Sequence, residues 1–369
     1  MEGLPIFLAA GLLFFLAFAN GANDVSKGIA TLAGAGLASV RGAVAWGTFW
    51  TVVGAFSGLL WGSMIIENVS SSLYAQAPAF HLPAALAAAC APILWVGLAT
   101  WRKWPVSTTH AIIGAMMGVG LFTLGMQGIN WGAFLSKIAL PMLASPFMAI
   151  ALAWPLSPAL ERLASVTHRI RLCLTPVPKL ALLPASGRAA VPLDDCLVCA
   201  CDSTQAGLTH GVSVSIDHMH WLTSGLLSFS RGLNDTPKLI AVVLPFLLLG
   251  DYAAPAWMFV VGALAVGLGS WMAGGSITRV LGFKVTEMNH ERGFSANLIA
   301  AFLVIGASRF GLPVSTTHVS SSAIMGVGLA NKASLNIETI KSMLFAWLVT
   351  APAAGLFATV IYLGTMAIL

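Results

Sequence analysis

At 369 residues, 58% hydrophobic and only 8% charged, the chain has too little polar surface to face water on all sides. Its net charge of +5 calls for no nucleic-acid partner, and its long apolar runs lack the polar alternation of barrel strands. An all-α polytopic protein of the lipid bilayer remains, with 37 glycines of the kind that let membrane helices approach closely.

In chain order, the first apolar run is Leu4 to Ala19. It has neither a basic leader nor a small-residue cleavage site, so it predicts a membrane span and not a signal peptide. It leads at once into "NGANDVSKGIA" (Asn20 to Ala30). Spans are predicted over Gly42 to Ile66 and Pro83 to Thr100, then the polar hexapeptide "PVSTTH" (Pro105 to His110), then a span over Trp131 to Trp154. A polar stretch, Glu161 to Asp217, carries Arg162, Arg169, Arg171, Lys179 and Arg188, which predicts a cytoplasmic loop. Within it "GVSVSID" (Gly211 to Asp217) alternates as a strand would, so a small β-hairpin is expected there. Then come "RGLNDTPKLIA" (Arg231 to Ala241), spans over Ala256 to Ala273 and Phe294 to Ala307, "PVSTTH" again (Pro313 to His318), and a last span over Ile340 to Ile368. Glu67, Asp251, Glu287, Glu291 and Arg292 are placed at membrane borders.

The second hexapeptide lies 208 residues after the first, and the second Asn-Asp motif 211 residues after its own counterpart. Two motifs in one order at nearly one offset predict two homologous halves. Residues 1–158 form the first transmembrane repeat, 159–218 a polar cytoplasmic linker and 219–369 the second repeat. Ten to twelve membrane-crossing or re-entrant segments are expected, five or six to a half. Repeats whose polar motifs interrupt apolar helices are typical of secondary transporters.

The hexapeptide has the composition of a helix start inside the membrane: a proline, which suits a first turn, and hydroxyls that can cap free amides. Such a start attracts anions. Ser107, Thr108 and Thr109, with Ser315, Thr316 and Thr317, would add hydroxyl donors from two opposed tips around a tetrahedral oxyanion. The bland alternative, hydroxyls bonded to carbonyls one turn back, is disfavoured by the duplication. Asp24 and Lys27, like Asp235 and Lys238, sit three apart and can pair on one helix face. They either pin a broken helix or, with Asn23 and Asn234, build a cation site; intramembrane charge favours function. His110 and His318 are candidate proton carriers, or simply hydrogen-bonded histidines.

Cys196, Cys199 and Cys201, with His210, His218 and His220, supply zinc-ligand types at a spacing that matches no familiar zinc pattern. An enzyme is excluded: no serine sits in a nucleophile elbow, and a symmetric pair of sites suits no hydrolase. No cofactor is expected.

The duplicated "GANDV" and "PVSTTH" elements, with "GFSANLIAAFLVIGASRFGLPVSTTH" (Gly293 to His318), resemble the inorganic phosphate transporter (PiT/Pho4) family over both halves. The resemblance implies an inverted-topology repeat with broken or re-entrant central helices, termini outside the cytoplasm, a homodimer, and a core bundle moving against a scaffold. It implies that Ser107, Thr108, Thr109, Ser315, Thr316 and Thr317 hold phosphate. It further implies that Asn23, Asp24, Asn234 and Asp235 belong to cation sites. The chain departs from the family pattern, which carries Asn where this sequence has Lys27 and Lys238, and Glu where it has Thr51 and Asn297. The lysines read as tethered cations in place of sodium, so proton coupling or sodium-independent transport across the cell membrane is expected. Sulfate permeation, sodium–phosphate symport and anion sensing are the alternatives.

Overall fold

The computed structural model describes residues 3–70, 72–75, 82–167, 215–244 and 254–368. The first part holds α1 (Gly3–Asp24), α2 (Ser26–Gly34), α3 (Val40–Trp61), α4 (Ser63–Ser70), α5 (Leu82–Trp101), α6 (Thr108–Leu124) and the short α7 (Trp131–Ala133). A π-helical stretch (Phe134–Ala139) joins α7 to α8 (Leu140–Thr167). The second part holds α9 (Ile216–Val243), α10 (Ala256–Ala273), α11 (Gly275–Phe283), α12 (His290–Arg309), α13 (Thr316–Ala330) and α14 (Ile337–Ile368). Among the described residues β-pairing is confined to two isolated bridges, Tyr74 with Ile129 and Thr286 with Leu335.

Six stretches are long and apolar enough to cross a membrane: Ile6–Gly34, Val40–Trp61, Leu82–Trp101, Trp131–Leu163, Ala256–Ala273 and Ile337–Ile368. Large apolar side chains such as Phe7, Phe147 and Leu348 stand exposed on them, as lipid contact requires. The remaining long helices are different in kind. Helix α9 is too polar to register as a span, yet it is buried along most of its length by the helices around it. Helices α6 (17 residues) and α13 (15 residues) reach only about 25 Å at 1.5 Å per residue, short of a hydrocarbon core of about 30 Å.

Three expectations need correction. The span over Gly42 to Ile66 is two helices. Gly62 ends α3 and lies against Pro237, where a Cβ would come within 2.6 Å of the proline Cγ, and α4 starts at the next residue. Of the strand expected over Gly211 to Asp217, Ile216 and Asp217 open α9 instead, and Ser215 caps it through a capping box with His218. Residues 211–214 lie outside the described residues, as do Asp251 and most of the linker. Finally, Pro105 and Pro313 precede their helices and do not occupy a first turn; the caps are Ser107 and Ser315.

The two Asn-Asp motifs also differ. The first lies at a break: α1 ends at Asp24 and α2 begins at Ser26. There Ser26 Oγ and Lys27 Nζ both donate to the Asn23 carbonyl, replacing regular helix bonding. The second motif sits inside continuous α9, which absorbs Pro237 without ending.

Close helix crossings carry these motifs inward. Helix α1 packs on α10 and α9 on α3, so each Asn-Asp helix lies against a helix from the other half of the chain. At α1–α10 a Cβ on Gly21 would fall 2.1 Å from the Val266 carbonyl oxygen, and one on Gly269 2.0 Å from that of Phe18. At α3–α9 the same arrangement recurs: Gly232 against Thr51 O at 2.1 Å, Gly54 against Phe229 O at 2.0 Å. Backbone meets backbone, and no flexible side chain is available to yield. Gly54→Val should therefore force α3 from α9 and destabilise the protein by about 1–3 kcal/mol; thermal melting in detergent measures it, and an unchanged melting temperature would contradict the packing described.

Candidate functional site

Helices α6 and α13 start at matching places. Ser107 Oγ accepts from the His110 amide at 3.2 Å, and Ser315 Oγ accepts from the His318 amide at 3.2 Å. The two tips touch: Ser315 Oγ donates to Ser107 Oγ at 2.8 Å. Each tip also reaches the strand-like approach of the other. Thr317 Oγ1 donates to the Val106 carbonyl (2.8 Å), and Thr109 Oγ1 to the Val314 carbonyl (3.4 Å). All six hydroxyl residues of the two hexapeptides are buried. Sequence motifs 208 residues apart are thus one cluster.

The Asn-Asp motifs border this cluster. Lys27 pairs with Asp24, and Lys238 Nζ lies 3.1 Å from Asp235 Oδ1. The carboxylates reach the helix tips: Asp24 Oδ2 accepts from Thr108 Oγ1 at 3.3 Å, and Asp235 Oδ2 from Thr316 Oγ1 at 3.3 Å. The ammonium groups do likewise. Lys238 donates to Thr109 Oγ1 (2.9 Å) and the Val314 carbonyl (2.7 Å), and Lys27 to the Val106 carbonyl (3.4 Å). Lys238 therefore links the second Asn-Asp helix to a hydroxyl of the first half.

The asparagines serve differently. Asn23 Nδ2 donates to Thr100 Oγ1 and the Trp104 carbonyl, both at 3.0 Å, while its Oδ1 accepts from Lys27 at 3.0 Å. Asn234 Nδ2 donates to Ser308 Oγ at 2.8 Å. Both amides hold the approach to a hexapeptide in place. The histidines face each other, ring centroids 4.3 Å apart, and His318 also packs on Trp347 at 4.0 Å. His110 Nδ1 lies 2.8 Å from Ser107 Oγ, so the pair adjoins the hydroxyl cluster directly.

Thr51 and Asn297 are buried in hydrogen-bonded positions. Thr51 Oγ1 donates to the Ser228 carbonyl at 3.2 Å; Asn297 Nδ2 donates to Thr31 Oγ1 at 2.8 Å, which also contacts His220 Nε2 at 3.0 Å. His220 is thus engaged inside the bundle and His218 caps α9. Cys196, Cys199, Cys201 and His210, with which these two histidines were expected to form a metal-ligand set, lie outside the described residues. Among the described residues no three His, Cys, Asp or Glu side chains cluster as a metal site.

Sequence reasoning missed two participants. Asn20 Nδ2 donates to Asp24 Oδ2 at 2.9 Å, four residues along the same helix. Arg231 stands at the corresponding place in the second motif and is almost wholly buried. The signal for both was present: aligning the motifs pairs Asn20 with Arg231, and an arginine inside an apolar helix is costly.

Each lysine–aspartate pair is fully out of water, so the halves of a pair depend on each other. Asp24→Asn alone should destabilise by about 3–5 kcal/mol, because it strands a buried ammonium. The double change Asp24→Asn with Lys27→Met should recover much of that loss. Melting curves of the three proteins in detergent decide it; a double variant no better than the single one would overturn the pairing.

Comparison with known proteins agrees with this architecture. A Pyrococcus furiosus protein named as a candidate phosphate permease is 28% identical over 98% of this chain and 97% of its own length. A chloroplastic inorganic phosphate transporter of Arabidopsis thaliana is 27% identical over 94% of this chain and 70% of its own length. A solved structure titled as the sodium-dependent phosphate transporter superposes with a TM-score of 0.77 at 25% identity, covering 99% of this chain and 100% of that one. The sequence profile of the phosphate transporter family matches residues 20–358. With hydroxyl-lined helix tips, buried charge pairs and a multi-pass helical frame on one side and this match on the other, the chain belongs to the phosphate transporter family, a family of membrane permeases and not of enzymes.

Proposed function

We propose that the chain carries inorganic phosphate across the cytoplasmic membrane and holds the ion between the two hexapeptide tips. Ser107, Thr108, Thr109, Ser315, Thr316 and Thr317 are its neutral donors, and Lys27 and Lys238 its tethered cations. The observation that carries the reading is the direct contact of Ser107 with Ser315 at the meeting of two helix N-termini, with a lysine at each tip. Helix starts present free amides and positive dipole ends, which suit an oxyanion. Hydroxyls 2.8 Å apart leave no space for a tetrahedral ion between them, so loading requires the tips to part. Donors now bonded to one another and to Val106 and Val314 would then turn to phosphate, which exchanges hydrogen bonds without leaving buried groups unmade.

In this reading transport does not require sodium. A cation ~4 Å from a fixed ammonium is repelled by about 4 kcal/mol at an effective dielectric near 20, and each lysine occupies the carboxylate of its motif. The adjacent His110 and His318 beside Ser107 supply a proton-accepting pair, so proton coupling is the favoured mode. Residues 1–158 and 219–369 act as two inverted repeats joined by the cytoplasmic segment 159–218, with the chain working as a homodimer. The recurrence of the same crossings and the same Asp–Thr contacts in both halves supports the repeat.

A second reading, sodium–phosphate symport, is favoured by one fact: the superposed structure is titled sodium-dependent. Sulfate is the competing anion. Uptake of radiolabelled phosphate by proteoliposomes, with sodium replaced by choline, separates the readings. Full retention is expected; loss of uptake would establish symport. Lys27→Asn should weaken uptake severalfold or make it sodium-dependent, and a variant unchanged on both counts would leave the lysine structural. Excess sulfate should compete weakly.

His110→Gln with His318→Gln should abolish the proton movement that accompanies phosphate uptake, read with a pH-sensitive dye trapped in the vesicles, while phosphate binding in detergent persists. Phosphate-driven proton movement that survives the double change would exclude the imidazole pair as the proton site.

A further inference from the structure

The three largest fully buried side chains described are all cations: Arg231, Lys27 and Lys238. Only two are compensated. Lys27 and Lys238 each pair with an aspartate, whereas Arg231 makes no ion pair, and its Nε, Nη1 and Nη2 have no hydrogen-bond partner among the described residues. A guanidinium does not give up its proton, so it cannot escape by neutralising. Buried charge without a partner is among the costliest features a protein can hold. Arg231, Asp235 and Lys238 stand at i, i+4 and i+7 of α9 and share the face turned to the hexapeptides. The field of Arg231 reaches both Asp24 and Asp235, the carboxylates bonded to the two tips.

We propose that Arg231 is the counter-charge of the transported anion. This rests on the phosphate reading above and goes further, assigning a binding residue. The buried set holds two carboxylates and three cations, one positive charge in excess. When the tips part, the planar donor fork is also the group best shaped to take two oxygens of one ion.

The test is calorimetric titration of phosphate into the full-length protein in detergent, at pH 6, in sodium or choline chloride. Wild-type affinity should be equal in the two salts. Arg231→Gln should weaken binding at pH 6 by about tenfold or more, and Arg231→Lys, which keeps the charge, should stay within a few fold of wild type. The proposal is overturned if folded Arg231→Gln binds as wild type does. Should Arg231→Gln not fold, Arg231→Met with added guanidinium decides: phosphate binding that depends on guanidinium supports the assignment, and binding at wild-type strength without it overturns it. A wild-type protein that binds no phosphate under any of these conditions would instead overturn the function proposed in the preceding section.

Discussion

Two ammonium–carboxylate pairs, removed from water and tied to helix tips, organise the centre of this protein. Moving either charge out of water costs several kcal/mol, which is recovered only with good geometry and further hydrogen bonds. Here every carboxylate oxygen and both ammonium groups have a partner. Asp24 takes Lys27, Thr108 and Asn20; Lys238 gives to Asp235, Thr109 and the Val314 carbonyl. A single geometry meets those demands, so the pairs set where α6 and α13 begin relative to α1 and α9.

That geometry needs close backbones. Charged groups on neighbouring helices can meet hydroxyls at hydrogen-bond distance only if the helices carrying them approach without intervening side chains. Glycines provide this at both crossings, Gly21 with Gly269 and Gly232 with Gly54. Similar contacts seat the hexapeptide helices: a Cβ on Gly114 would meet the Ala351 carbonyl oxygen at 2.2 Å, and one on Gly326 the Ala153 Cβ at 2.7 Å. Dispersion and backbone packing do the joining, as expected where lipid removes the hydrophobic incentive for helix association.

The same centre is suited to change. Its contacts are hydrogen bonds between hydroxyls, carbonyls and ammonium groups, each of which can trade one oxygen acceptor for another at small net free energy. A phosphate oxygen is such an acceptor. Arg231 is the exception: its guanidinium nitrogens have no hydrogen-bond partner among the described residues.

Much of this was legible beforehand, because intramembrane polarity is rare enough to be informative. The duplicated hexapeptide and Asn-Asp motif identified the helix starts at Ser107 and Ser315, the i,i+3 pairs and the likeness to phosphate carriers. Other features depended on neighbours far away in the chain. Hydropathy does not register α9, a polar helix buried mostly by other helices. The break at Gly62 lies against Pro237, and α9 runs through that proline with other helices packed along it. Composition and local spacing determined which residues carry charge and where helices can start, for those are properties of a few adjacent residues. Only the tertiary structure decided that tips 208 residues apart touch, that each lysine reaches a tip, and that Arg231 is left uncompensated, because pairing across a bilayer interior is a matter of which helices cross and at what distance.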